Sequence, residues 1–212
     1  LIINGTSISS LSFLSSVTSI SNDLIISTNS NLNSLSGLNN LVSIGGDLTI
    51  DNNSLSSITD LNSLTSITGN VTFLRNNISS LNGLENLTSL NSLIINDNDS
   101  LKNVNGLNNV TSINGNVNIQ NNNVLSNLDS LINVTSISGN IVIFLNTSLL
   151  DLNGLGNVAS NVGNIEVFNN VLLSDLCGLT TLVTSSGYSG VYNVHSNFFN
   201  PTISNIVSGN CN

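Results

Sequence analysis

Side chains that could carry out acid–base or nucleophilic chemistry are few in this sequence and widely spread. It holds one histidine, His195, and eleven acidic residues against two cations, Arg75 and Lys102, for a net charge of −9. Catalysis needs several such groups close together, and we expect the acids to lie without a close pair. We therefore predict no enzymatic activity and no cofactor. So few cations also predict no binding to nucleic acid.

Metal binding and membrane insertion are not predicted either. The segment Asp97-Asn98-Asp99 resembles a fragment of a calcium-binding loop. Calcium requires six or more oxygen ligands, which this fragment does not supply. No apolar run approaches the roughly 18 residues that a membrane-spanning helix needs.

The two cysteines, Cys177 and Cys211, both lie in the C-terminal part of the chain. A pair in an otherwise cysteine-free sequence is either a disulfide or two unrelated buried thiols. We favour a disulfide, because it would tie the last repeat to the final residues. A disulfide predicts an oxidising location, outside the cell or on its surface.

The elements that position these residues are set by a repeat. Short strand-like triplets such as Leu24-Ile25-Ile26 are each followed by an asparagine, and these asparagines recur at intervals of 22 to 24 residues. A repeat of this length predicts an all-β solenoid with turns of about 23–24 residues. Inward asparagine amides would form a ladder that satisfies backbone donors and acceptors. The ladder residues are Asn29, Asn53, Asn76, Asn98, Asn122, Asn146 and Asn170.

The repeat also predicts the domain organisation. Residues 1–182 are expected to form about seven full turns and a partial N-terminal turn, and residues 183–212, which break the repeat, a C-terminal cap. The chain begins with a strand-like triplet, so we expect further residues before it in the natural protein. A glycine column marks a second corner where a positive φ is expected, with Asn22 in the first turn. The column comprises Gly46, Gly69, Gly115, Gly139 and Gly163.

Two outward surfaces are candidates for binding. Phe144 and Phe168 fall in one column of the strand triplets, with Val142 and Leu145 beside them. If these side chains point outward, they form an apolar patch for a protein or a sugar. The alternative is that the cap or a loop covers them.

The second surface consists of regular hydroxyl rows, which would suit ice binding as an alternative function. Val42 and Ala159 interrupt the threonine row, and the serine row could equally point inward. The rows comprise Thr18, Thr65, Thr88, Thr111 and Thr135 with Ser19, Ser43, Ser66, Ser89, Ser112, Ser136 and Ser160.

The repeat unit, seen in residues 41–50 and 134–143, resembles the leucine-rich repeat superfamily, and within it the receptor L domain type. The ending from Leu176 to Cys211 is similar to the closing segment of surface and secreted proteins of Bacteroidetes bacteria. The resemblance implies a right-handed, parallel β-helix-like solenoid. It also implies an extracellular module that binds a protein or glycan through its strand face. A structural role with self-association through the solenoid ends is the other alternative.

Overall fold

The protein is a solenoid of stacked coils, as the repeat predicts. The computed structural model describes residues 1–5, 7–160 and 162–212. Within these residues, one parallel sheet of nine strands and two parallel sheets of three short strands are formed. In chain order the strands are β1 (Ile2–Asn4), β2 (Ser19–Ile20), β3 (Leu24–Ser27), β4 (Ser43–Ile44), β5 (Leu48–Asp51), β6 (Ser66–Ile67), β7 (Val71–Leu74), β8 (Ser89–Leu90), β9 (Leu93–Asn96), β10 (Ser112–Ile113), β11 (Val117–Gln120), β12 (Ser136–Ile137), β13 (Ile141–Phe144), β14 (Ile165–Phe168) and β15 (Tyr192–His195).

Helices are short and lie between the strands or after the last repeat. The α-helices are α1 (Thr180–Thr184) and α2 (Ile203–Val207). The 3₁₀ helices span Ser12–Leu14, Thr59–Leu61, Asp129–Leu131, Asn153–Leu155 and Cys177–Leu179. The predicted all-β solenoid is therefore confirmed, and its parallel repeats fit the leucine-rich repeat architecture that the sequence resembles.

Each long strand turns one face to the core. In β3, Leu24 and Ile26 are buried, whereas Ile25 between them is half-buried. The same alternation holds in β5, β7, β9, β11, β13 and β14, because successive side chains of a strand point to opposite faces. Apolar residues at a spacing of three, such as Leu32 and Leu35, are buried as well. One continuous core therefore runs through the coils.

The prediction of a positive φ at the glycine column is wrong. Neither the five glycines of that column nor Asn22 has a positive φ. A Cβ at Gly139 would instead collide with the side-chain oxygen of Asn116 in the preceding coil. Close approach between coils, rather than backbone conformation, therefore requires glycine at this corner. Positive φ values of 50–58° occur one residue before each ladder asparagine, at Thr28, Asn52, Arg75, Asp97, Asn121, Leu145 and Asn169.

One coil is shorter than the others, and this affects only one side of the solenoid. Asn76 and Asn98 are 22 residues apart, whereas Asn98 and Asn122 are 24 apart. The large sheet continues through the short coil, because β7 pairs with β9 in register. Within the described part of the chain, the short strands are divided at this coil: β2, β4 and β6 form one sheet, and β8, β10 and β12 form the other.

The segment 183–212 contributes a further strand to the large sheet. β15 pairs in parallel with β14, and His195 lies opposite Phe168. The asparagine ladder also continues into this segment, because the backbone N–H of Asn170 donates to Oδ1 of Asn197, 27 residues away, at 3.0 Å. The longer interval accommodates α1. The last strand therefore follows the geometry of the coils although its sequence does not follow the repeat.

The predicted disulfide joins the last repeat to the final residues of the chain. Cys177 and Cys211 are bonded, with their Cα atoms 4.9 Å apart. In the same C-terminal segment, the hydroxyl of Tyr192 donates to the carbonyl oxygen of Pro201 at 2.8 Å. Burial raises the pKa of Tyr192 above its ordinary value, and the neighbouring Tyr188 adds to this rise. These contacts fix the chain after β15 against the solenoid.

Candidate binding surface

The ladder asparagines fix the register of each strand relative to the next strand. Oδ1 of Asn122 accepts a hydrogen bond from the backbone N–H of Asn98 at 3.1 Å. Nδ2 of Asn122 donates to the carbonyl oxygens of Ile95 (3.2 Å) and Gln120 (2.7 Å), and to Oδ1 of Asn146 (3.1 Å). The side chain is fully buried. The ladder therefore positions the strands, and with them the side chains that point outward.

A second polar ladder, which the sequence pattern does not reveal, lies at the other end of the long strands. There, a side-chain oxygen in each coil accepts a backbone N–H of the next coil at 2.6–3.2 Å. The accepting residues are Asp23, Asp47, Asn70, Ser92, Asn116, Asn140 and Asn164. Aspartate, asparagine and serine all supply such an oxygen. Only this shared property, and no single residue type, could have revealed the ladder.

The outward face of the last strands carries three stacked rings, which we call the aromatic row. Phe144 and Phe168 are register partners in β13 and β14, with ring centroids 4.7 Å apart and planes within 9°. His195 of β15 stacks on Phe168 at 5.2 Å and 12°. Both phenylalanines are half-buried and His195 is exposed. The sequence indicates the phenylalanine pair but not His195, because α1 displaces β15 from the repeat.

Exposed aliphatic side chains lie on the same coils. Val142 is half-buried on the outward face of β13, and Leu145, directly after this strand, is 38% exposed. Val171 and Leu172 follow the ladder residue Asn170 and are 55% and 50% exposed. We call the aromatic row together with Val142, Leu145, Val171 and Leu172 the apolar patch.

Leu145 has a backbone conformation that leucine rarely adopts. Its φ of 57° lies in the left-handed region, which costs an L-residue roughly 1–2 kcal/mol and is best tolerated by glycine or asparagine. Asn121 and Asn169 occupy the equivalent positions in the coils on either side. Leu145 is therefore unfavourable for folding and exposes apolar surface as well. Thr28 and Arg75 adopt the same conformation in other coils, so the turn belongs to the repeat and not to this coil alone.

Glu166 introduces a negative charge on the same face as the aromatic row. It lies two residues before Phe168 in β14, and its register partners are Val142 and Asn193. Its Oε1 accepts a long hydrogen bond of 3.5 Å from Nδ2 of Asn164. The glutamate therefore has apolar and neutral neighbours on the sheet.

Two acids lie in neighbouring coils, so the expectation that the acids lie without a close pair is wrong here. Asp151 and Asp175 form a parallel bridge, and each accepts the backbone N–H two residues further on, at 3.0 and 2.9 Å. Burial raises the pKa of Asp151, the N–H of Asn153 lowers it, and Asp129 and Asp175 raise it further. Over residues 1–5, 7–160 and 162–212, no group of three or more His, Cys, Asp or Glu side chains could hold a metal ion.

The serine row on the short strands points towards solvent. Ser43 is half-buried and Ser66 is exposed, while the isoleucines that follow them are buried. The hydroxyls of Thr65, Thr111 and Thr135 donate to carbonyl oxygens of the preceding coil at 3.2–3.3 Å. The short coil separates β6 from β8. The hydroxyl rows are therefore divided between two small sheets.

Comparisons with known proteins identify no family for this chain. No protein-family model and no curated protein matches the chain. Among solved structures, an internalin (inlF) from Listeria monocytogenes is similar at 19% sequence identity with a TM-score of 0.42. The alignment covers 88% of this chain and 63% of the internalin, so the chain spans less than two thirds of that protein's length. No helix among the described residues has the length and apolar character needed to cross a membrane.

Proposed function

We propose that this chain is a non-catalytic binding module that recognises a protein partner through the apolar patch. The observation that carries the proposal is the aromatic row on the outward face of β13, β14 and β15. Apolar side chains gathered on one outward face favour a partner surface, and phenylalanine is enriched in protein–protein interfaces. The exposed side chain of Leu145 on the same coil as Phe144 supports the same proposal.

The arrangement of the rings favours a protein over a glycan. Phe168 lies between Phe144 and His195, so a ring lies against each of its two faces. A sugar ring packs on a free aromatic face, whereas this row offers mainly ring edges. Ring edges carry partial positive charge and suit carbonyl oxygens and the edges or faces of other side chains. A protein segment supplies these groups at every residue.

The disulfide supports an extracellular or cell-surface location, because such bonds persist in oxidising compartments. Self-assembly into a surface or matrix structure is the alternative role. Ice binding is not proposed, because the hydroxyl rows are divided between two small sheets and their threonine hydroxyls already bond to the backbone.

Selection of short peptides from a random displayed library on the immobilised chain tests the proposal. The dissociation constants of the selected peptides are then compared for the wild type and the double variant Phe144→Gln with Phe168→Gln. Glutamine already occupies the equivalent position 120 of the neighbouring strand, in register with Phe144. We expect binding to the double variant to be about tenfold weaker or worse, since hot-spot side chains commonly contribute more than 1 kcal/mol.

The matched control is Leu74→Gln, which removes a half-buried apolar side chain from the same outward column, on β7. It should leave peptide affinity unchanged. If no peptide distinguishes the double variant from the wild type, the proposal is wrong. A glycan array and sedimentation velocity on the same samples address the alternatives. Glycan binding or self-association that disappears in the double variant would contradict recognition of a protein partner and would support a glycan ligand or self-assembly instead.

A further inference from the structure

We infer that the partner segment carries a basic residue two positions from its apolar anchor, and that Glu166 is the residue that selects it. The inference rests on the proposed function, because it takes the apolar patch as the docking surface. It adds the charge of the partner and the side chain that recognises it.

Glu166 stands out among the residues at its position on the sheet. Its equivalents in the large sheet are all uncharged, and glutamate is disfavoured in strands relative to β-branched residues. These equivalents are Ile2, Ile25, Thr49, Thr72, Ile94, Asn118, Val142 and Asn193. Nothing in the packing of the face requires a charge at residue 166, since neutral and apolar side chains occupy the same place in every other coil.

Among the described residues, no lysine or arginine forms an ion pair with this carboxylate. In the described residues the ion pair is that between Asp51 and Arg75, at 2.7 Å, and these residues lie several coils away. Residues 103–212 contain four acids and neither lysine nor arginine. A ligand approaching the apolar patch therefore meets a negative field, which attracts a cationic partner and repels an acidic one.

The geometry also defines the spacing within the partner. Glu166 and Phe168 are two residues apart in one strand and point to the same face, which corresponds to a separation of about 7 Å. A lysine or arginine can therefore reach Glu166 while a neighbouring aliphatic or aromatic side chain rests on the ring edges of the aromatic row. An extended segment with basic and apolar residues at alternate positions fits this arrangement.

Peptides selected on the wild-type chain test this inference. We expect enrichment of lysine or arginine two positions from an aromatic or aliphatic residue. Replacing Glu166 by glutamine should weaken binding of these peptides roughly threefold at low ionic strength, the range of a partly exposed ion pair, and the difference should shrink in high salt. The matched control is Asp129→Asn, which removes an exposed acid from a short helix away from the large sheet. It should change affinity less than Glu166→Gln does.

The possible outcomes separate this inference from the proposed function. Selected peptides that lack basic residues, depend on Phe144 and Phe168 and bind Glu166→Gln normally would overturn the basic partner and leave the binding function intact. An equal loss of peptide affinity in Glu166→Gln and Asp129→Asn would show a general effect of net charge instead of specific recognition by Glu166. This result would also overturn the inference. Peptides that bind independently of the two phenylalanines would overturn both.

Discussion

Replacing Asn122 by leucine should cause a large loss of stability, whose size follows from its hydrogen bonds. The substitution leaves the N–H of Asn98 and the carbonyl oxygens of Ile95 and Gln120 without their side-chain partner. The bonds to Asn98 and Ile95 are buried and the bond to Gln120 is partly buried. An unpaired buried group costs about 1–3 kcal/mol, so the two buried groups together give roughly 4 kcal/mol at the middle of this range. This is a large share of a typical unfolding free energy of about 5–15 kcal/mol.

Urea unfolding followed by far-ultraviolet circular dichroism measures this loss. With a slope of about 2–3 kcal/mol per molar urea, the midpoint should fall by more than about 1 M. The control is Asn123→Leu, the same change at the next residue, whose amide makes an exposed contact with Asp99 and which should cost about 0.5 kcal/mol or less. Equal midpoints for Asn122→Leu and the wild type, or equal losses in the two variants, would refute the role of the ladder.

Three further substitutions test other parts of the structure. Gly139→Ala should lower the thermal unfolding temperature, because its Cβ meets Asn116 of the preceding coil; an unchanged value would contradict this close approach. Leu145→Asn should raise the free energy of unfolding measured in urea by about 1 kcal/mol and weaken binding of the selected peptides. A loss of stability would contradict the backbone strain at Leu145. The pKa of Asp151 is higher in the folded protein than in the unfolded chain, so ionisation of this side chain destabilises the fold. The contribution of Asp151 to stability is therefore present below the pKa of the unfolded chain and is lost as pH rises through the pKa of the folded protein. Asp151→Asn keeps the acceptor for the N–H of Asn153, so its thermal unfolding temperature should exceed the wild-type value near neutral pH and match it near pH 3; equal temperatures at both pH values would contradict the shift.

The solenoid could be predicted because asparagine has the same structural role in every turn. An asparagine amide supplies both donors and an acceptor, so Asn122 and its equivalents recur as a visible column. The disulfide between Cys177 and Cys211 was also accessible, since these are the two cysteines of the chain. The second ladder was not, because aspartate, asparagine and serine perform the same task there. A pattern of identical residues cannot reveal a position defined by a shared acceptor.

Backbone conformation and the complete aromatic row were beyond the sequence for other reasons. Glycine was expected at the positive φ, but residues as different as Thr28 and Leu145 adopt it, because the ladder hydrogen bonds of the following asparagine impose the turn. His195 joins the row only because β15 pairs with β14 after the insertion of α1. Its sequence distance from Phe168 exceeds the repeat, so only the strand register places the two rings together.

The residues equivalent to Phe168 along the large sheet show which side chains the fold requires at this outward position. Along the large sheet, the positions equivalent to Phe168 hold polar or aliphatic residues in every coil before β13, from Asn4 to Gln120. These coils keep the same core, ladders and register, so the fold does not depend on aromatic side chains at this position. Stacking of Phe144 and Phe168 adds only a modest stabilisation of about 0.5–1.5 kcal/mol. We therefore propose that a partner covering the aromatic row accounts for its side chains. Exchanging both phenylalanines for glutamine should accordingly reduce binding far more than stability, and the reverse result would assign the row to the fold.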